Sequence, residues 1–280
     1  MRKFMRILML IAGIGLVLYP WISNYLYEKS ASSQVNAYKR AAESLSDDEY
    51  EDLLKQAKLY NQALAESHVV LTDPFTQKLT KYSTEMDYNK VLSLDNSKIM
   101  GYLEIPCISV NLPIFHGTSH EVLEKGIGHL EGTSVPIGGK SVHAVLTGHT
   151  GLSSAKIFTD LKELEKNDLF YIHVLGKIFA YKVEEINIVS PEDTRKLIIV
   201  DGKDFVTLVT CTPYGVNSHR LLVRGERTNY NVEEYTQALK NHHTDSEWMK
   251  AYKKALVIGI SIVLMIICVA GIFHIFSMYK

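Results

Sequence analysis

From Ile99 onward the chain breaks into short runs rich in β-branched and aromatic residues: IMGYLEI, VNLPIF, VHAVLTGH, LFYIHV, IFAYKVEEINIV, KLIIV, FVTLVTC and RLLVRGER, separated by Gly, Pro, Asn and Asp. Eight or so strands within about 130 residues leave little room for helix, and only Lys156 to Leu164 carries a helical pattern among them. Exposed sheet edges are a liability for so many strands. A mostly β, closed or nearly closed barrel is therefore the expected fold, with a β-sandwich as the structural alternative.

Upstream of the β-rich region the pattern is helical between Val35 and Glu66. Ser46 followed by Glu49 forms a capping box, and Tyr50, Leu53, Leu54, Ala57, Tyr60 and Leu64 then recur at helical spacing. One face of this helix must pack onto something. After Ser67 the periodicity stops, and His68 to Thr76 (HVVLTDPFT) reads as an extended loop, because Pro74 lacks a backbone donor and biases Asp73 away from helix.

Both ends are apolar. Ile7 to Ile22 follows Arg2, Lys3 and Arg6, and Ala255 to Phe273 carries no charge at all. Each is a candidate membrane span. The first is read as a retained signal-anchor in preference to a cleaved signal peptide, although Ser30 and Ser32 offer small residues for processing. The basic N-terminus favours the cytoplasmic side and places the body outside; Lys250, Lys253 and Lys254 run against that trend, which a long translocated domain tolerates. The expected layout is a signal-anchor at 1–27, a helical segment at 28–66, a loop at 67–80, a β-barrel domain at 81–232, a juxtamembrane linker at 233–254 and a C-terminal transmembrane helix at 255–276. A formal net charge of -1 gives no indication of nucleic-acid binding.

Cys268 falls in the second span, which leaves Cys107 and Cys211 in the exterior domain, either paired or free. Cys211 ends the run FVTLVTC, where alternation puts Thr207, Val209 and Cys211 on one face and a rigid strand gives way to the loop at Thr212 and Pro213. That position suits a nucleophile and equally suits a small buried hydrophobe. If the loop from Thr212 to His219 folds back as a hairpin, Arg220 lands near Cys211, where a cation favours the thiolate and a guanidinium can donate to an oxyanion. A surface salt bridge is the plainer reading of Arg220. A thiol enzyme needs a proton carrier, and His149 is the leading histidine, at the end of VHAVLTGH between Gly148 and Gly151. His129 and His219 compete with it, while His143 lies about 20 Å back along the same strand. No CxxC, HExxH, P-loop or GxGxxG pattern is present, and no metal or cofactor is expected.

Taken together, Thr207-Leu208-Val209-Thr210-Cys211, His149 within TGHTG and Arg220 within HRLLVRGER resemble the sortases, membrane-anchored cysteine transpeptidases of Gram-positive bacteria. Asp73-Pro74-Phe75 and the second apolar run resemble the pilus-assembling class C branch. The resemblance implies a sortase-type barrel at the outer face of the cell membrane. Cys211 would attack the Thr-Gly bond of a Leu-Pro-x-Thr-Gly-like sorting signal to give a thioacyl-enzyme. His149 would serve as general acid and base, and Arg220 would stabilise the oxyanion or position substrate. It also implies pilin subunits as partners, a pilin lysine as the resolving amine, and a lid made by Asp73, Pro74 and Phe75, with the carboxylate near the arginine and the ring near the cysteine. A housekeeping sortase that uses a cell-wall amine is the runner-up, and a thiol hydrolase a third option. A sortase substrate is excluded, because no Leu-Pro-x-Thr-Gly-like motif precedes Ala255 and the Leu112-Pro113 pair lies deep in the β-region.

Overall fold

A computed structural model describes residues 2–67, 69–76, 86–94, 97–152, 155–240, 252–261, 263 and 265. Eight strands close into a barrel: β1 (Ile99–Ile105), β2 (Val110–His116), β3 (Ile127–His129), β4 (Val142–Thr147), β5 (Leu169–Val174), β6 (Lys177–Val189), β7 (Asp204–Thr212) and β8 (His219–Thr228). The order around the barrel is β1-β2-β3-β4-β7-β8-β6-β5, which leaves no edge strand and rules out the sandwich. Two pairings are parallel, β2 with β3 and β4 with β7; the others are antiparallel.

The period-2 alternation of β7 explains how the sequence divides its two faces. Val206 and Leu208 join Leu103, Ile105, Ile114, Leu146, Phe170 and Val223 in the main core. Val209, on the opposite face, joins Val145 and Leu222 in a separate outer cluster with Leu71 and Leu130, and Phe75 packs against it. The outer face of β4, β7 and β8 is thus apolar and covered by the loop after residue 67.

Two long helices precede the barrel, α1 (Arg2–Glu43) and α2 (Asp47–Glu66). α1 runs continuously through residue 27, with Pro20 inside it. Its last turns bury Ala31, Val35 and Tyr38, one stripe at helical spacing. The Tyr38 hydroxyl donates to the Met100 carbonyl and accepts from the Leu175 amide, both at 3.0 Å. The helix expected from Val35 to Glu66 is broken by the Ser46 cap, whose capping box with Glu49 is present as the sequence predicts. Buried Ala57, Tyr60, Asn61 and Leu64 then face the barrel.

Several expectations need correction. The run KLIIV forms no strand: Arg195–Leu197 is a 3-10 turn, and the eighth strand of the barrel is β3, which was not expected. Among the described residues no helix is long and apolar enough to cross a membrane, whereas spans were expected at both ends. Several side chains of the run from Ile7 to Ile22, and most of the second run with the rest of the transmembrane segment expected at 255–276, lie outside the described residues. Lys156 to Leu164 is not a helix but a turn with one 3-10 segment at Leu161–Glu163. Ile157, Phe158, Leu161 and Leu164 are all buried there, but Ile157 has a positive φ of 27°, outside the right-handed helical region, so the segment turns instead of continuing as a helix. The expected linker at 233–254 opens with a helix, α4 (Val232–Lys240), held by the Tyr235 hydroxyl on Glu104 at 2.8 Å and by its ring on Tyr171; residues 241–251 lie outside the described residues. A short helix, α3 (His120–Lys125), which no sequence pattern had indicated, lies between β2 and β3. Of the loop expected at 67–80, residues 68 and 77–80 lie outside the described residues. Residues 243–280 form a second compact unit, helical over 252–261.

Candidate active site

Strand register alone brings three of the predicted site residues to one rim. β7 and β8 form the expected hairpin, with Cys211 directly opposite Arg220. Directly opposed residues point to the same face with Cβ atoms about 4.5–5.5 Å apart. On the other side of β7, parallel β4 pairs Thr147 with Val209. Two residues further along each chain stand His149 and Cys211, level with one another where the ladder ends. Gly148 continues the ladder by donating to the Val209 carbonyl at 3.1 Å.

A residue not singled out from sequence fixes this turn. The Thr210 hydroxyl lies 2.7 Å from the Gly148 carbonyl and 2.6 Å from the Thr150 hydroxyl, so the residue before Cys211 holds both neighbours of His149. A threonine on the inward face of an otherwise aliphatic strand was the available signal.

Asp73 grips the arginine. Arg220 Nε donates to Asp73 Oδ1 at 2.8 Å and Nη2 to Oδ2 at 2.7 Å, a bidentate pair in which both residues are buried. Nη1 donates to the carbonyls of Asn217 and His219, each at 3.0 Å. The Thr76 amide and hydroxyl both donate to the Asp73 carbonyl and close the tight turn through Pro74 and Phe75. The Phe75 ring lies 5.0 Å from the Arg220 guanidinium and 5.6 Å from the His149 ring. The expected contact between carboxylate and guanidinium is present, and the aromatic ring sits between imidazole and guanidinium.

Burial and charge set the protonation states. Burial pushes the Cys211 thiol up; Arg220 pulls it down, and Asp73 pushes it up again. Burial is the largest of these effects, and it favours the neutral thiol. Burial also lowers His149, as does neighbouring His120, while Glu124 opposes them. His149 Nε2 is buried and has no hydrogen-bond partner among the described residues. The site thus holds a neutral thiol, a neutral imidazole with one free nitrogen and a paired guanidinium.

The other candidates are elsewhere. Buried His143 bonds the Ile198 carbonyl and Thr207, both at 2.7 Å. Buried His129 bonds Tyr88 and the Ser134 carbonyl. Exposed His219 bonds Ser218. Cys107 and Cys211 are both free thiols, which removes the disulfide alternative. Burial, with Asp168 beside it, pushes the Cys107 thiol up to about 12 and leaves it inert.

A closed barrel presenting thiol, imidazole and guanidinium at one rim has the makings of a cysteine acyl-transfer enzyme. A family model described as the sortase domain matches residues 103–228. Sortase D of Bacillus subtilis is 31% identical over 170 residues, covering 59% of this chain and 83% of that one. Sortase A of Streptococcus agalactiae is 30% identical, covering 54% and 66%. Among solved structures, sortase C1 of the GBS pilus island 1 aligns with a TM-score of 0.66 and 40% identity over 72% of this chain and 94% of its own. Sortase C-1 from Streptococcus pneumoniae aligns with a TM-score of 0.65 and 43% identity over 71% and 100%. The chain belongs to the sortase family of cysteine transpeptidases.

Proposed function

We propose that this sortase polymerises pilins: it cleaves a Leu-Pro-x-Thr-Gly-like signal between Thr and Gly and passes the acyl group to a lysine of another pilin. The observation that carries this reading is the Asp73–Phe75 turn, whose carboxylate occupies Arg220 while its ring separates Arg220 from His149. That arrangement is a lid built into the chain, and the similarity to sortases C of pilus islands supports a pilin as substrate.

In the proposed cycle the lid swings off and frees Arg220 Nε and Nη2. Loss of the Asp73 charge lowers the Cys211 thiol toward its reactive anion. Cys211 passes its thiol proton to His149 as the sulfur attacks the threonine carbonyl carbon, and the negative charge that develops on oxygen meets the vacated guanidinium edge. His149 Nε2 protonates the departing glycine amine as the C–N bond breaks, leaving a thioester on Cys211. An incoming lysine amine loses its proton to His149, attacks the thioester and expels the thiolate. The apolar residues exposed along the first half of α1, such as Ile11 and Ile14, and the uncharged run at 255–273 support anchoring at the outer face of a Gram-positive cell membrane.

The test mixes the full chain in detergent with a sorting peptide and either a pilin domain or a short cell-wall amine, followed by mass measurement of the products. An isopeptide-linked pilin adduct that Cys211→Ala abolishes is expected. Product with the cell-wall amine alone would make this a housekeeping enzyme, and free acid alone, even in Asp73→Ala, would make it a hydrolase.

A further inference from the structure

Among the described residues His149 has two ring neighbours, one in the lid and one outside it. Phe75 belongs to the lid and leaves with it. His120, the first residue of α3, stands edge-on to the His149 ring with centroids 6.1 Å apart and an interplanar angle of 76°. It is anchored independently of the lid. Its Nε2 lies 3.3 Å from Glu124 Oε1, one helical turn on. Ser119 caps the helix through the Val122 amide, and buried Leu123 packs closely on β3, its Cδ2 lying 3.0 Å from where a Cβ at Gly128 would stand. Because β3 pairs with β4 through Gly128 and Thr147, α3 is held next to the turn that carries His149.

We propose that His120 is a positioning residue for the acid-base histidine: its ring, edge-on to the His149 imidazole, supports that imidazole when the lid is open. The inference rests on the reading of His149 as the acid-base residue and adds a residue to it. Open-lid geometry gives the argument its force. His149 Nε2 has no hydrogen-bond partner among the described residues to hold the ring, so packing must fix its orientation, and once Phe75 departs His120 is the aromatic contact that remains. The charged groups that bear on His149 are His120 and Glu124 from α3, acting in opposite directions. From the lid it faces uncharged Phe75, beyond which Asp73 and Arg220 neutralise each other. Protonated His120 therefore disfavours a second charge on His149, and Glu124 favours it.

The test is made in the full chain carrying Asp73→Ala, so that lid opening does not limit the rate. His149→Ala is the reference, and it must abolish cleavage of the sorting peptide; if it does not, the acid-base assignment itself is wrong. With that established, His120→Ala is expected to lower kcat about tenfold with KM for the peptide within about twofold, as for loss of orientation without loss of binding. His120→Phe is expected to recover most of kcat, because it restores the ring, but to move the acidic limb of the pH-rate profile to higher pH, since a cation that opposes His149 protonation is gone. Glu124→Gln is expected to move the same limb to lower pH. A His120→Ala enzyme with unchanged kcat and an unchanged profile overturns the proposal, and so does a His120→Phe enzyme as slow as His120→Ala.

Discussion

At Arg220 both edges of the guanidinium are occupied, by Asp73 on one and by the Asn217 and His219 carbonyls on the other. Only the Asp73 edge can become free without disturbing the hairpin that also carries Cys211. Asp73 therefore controls two things at once, access to the guanidinium and the charge felt by the thiol. Replacing it with Asn keeps the shape and removes the charge, so the pH midpoint of Cys211 alkylation should fall and the rate at pH 7 should rise several-fold; Cys107, already pushed up to about 12, serves as the internal control. An unchanged midpoint would mean that Asp73 does not reach the thiol. Thr210 acts through geometry alone. Thr210→Val leaves the Gly148 carbonyl without its buried donor and should cost about 1–3 kcal/mol of stability, with a loss in kcat larger than any change in KM. The nearness of Cys211 and Arg220 was legible in the sequence because strand alternation and one hairpin suffice to place them, whereas His149 stood out only as a histidine at a strand end and reaches their level through the parallel pairing of β4 with β7. Thr210 and His120 were not, since their contacts depend on β7 lying parallel to β4 and on β3 lying beside it, pairings between strands far apart in the chain.

Elements obey their local signals where nothing overrides them. The capping box starts α2 at the expected residue, and the buried stripe through Tyr60 and Leu64 faces inward as its spacing requires. Between Lys156 and Leu164 the backbone leaves the helical region at Ile157, which the spacing of apolar residues does not reveal, and α3 is too short for periodicity to show. The join between α2 and the barrel could not be read from sequence, because it is made by one polar residue. Asn61 donates to the Val135 carbonyl at 3.0 Å and accepts from the Val135 amide at 2.7 Å, mimicking a strand neighbour for a buried loop. Asn61→Ala strands both backbone groups and should destabilise the protein by roughly 2–4 kcal/mol. Asn61→Asp should be nearly as costly, since a carboxylate can accept from the amide but cannot donate to the carbonyl. Thermal unfolding of the three proteins decides this, and an Asn61→Ala melting point within a degree of the parent would remove Asn61 from the fold's supports.

Closing a mixed sheet places histidines in the wall of the barrel, and this gives the whole molecule a pH dependence of its own. His143 Nδ1 donates to the Ile198 carbonyl, and Nε2 accepts from Thr207 on the neighbouring parallel strand. His129 likewise spans Tyr88 and the Ser134 carbonyl. Each ring fits its partners as the neutral tautomer, and a second proton would reverse the hydroxyl bond and bury a charge. Burial accordingly lowers both to about 4 from the ordinary 6.5. Between those values the unfolded chain binds protons that the folded one refuses, so stability rises with pH across that window. The stabilisation is complete above about pH 6.5 and is lost as pH falls toward 4, on the order of 3 kcal/mol for each histidine. The melting temperature of the full chain should therefore drop steeply from pH 6.5 to 4. His143→Gln can keep a donor to Ile198 and an acceptor for Thr207 without titrating, so it should melt lower than the parent at pH 7.5 yet lose less between pH 6.5 and 4. Parallel curves for the two proteins across that window would show that His143 does not carry the acid sensitivity.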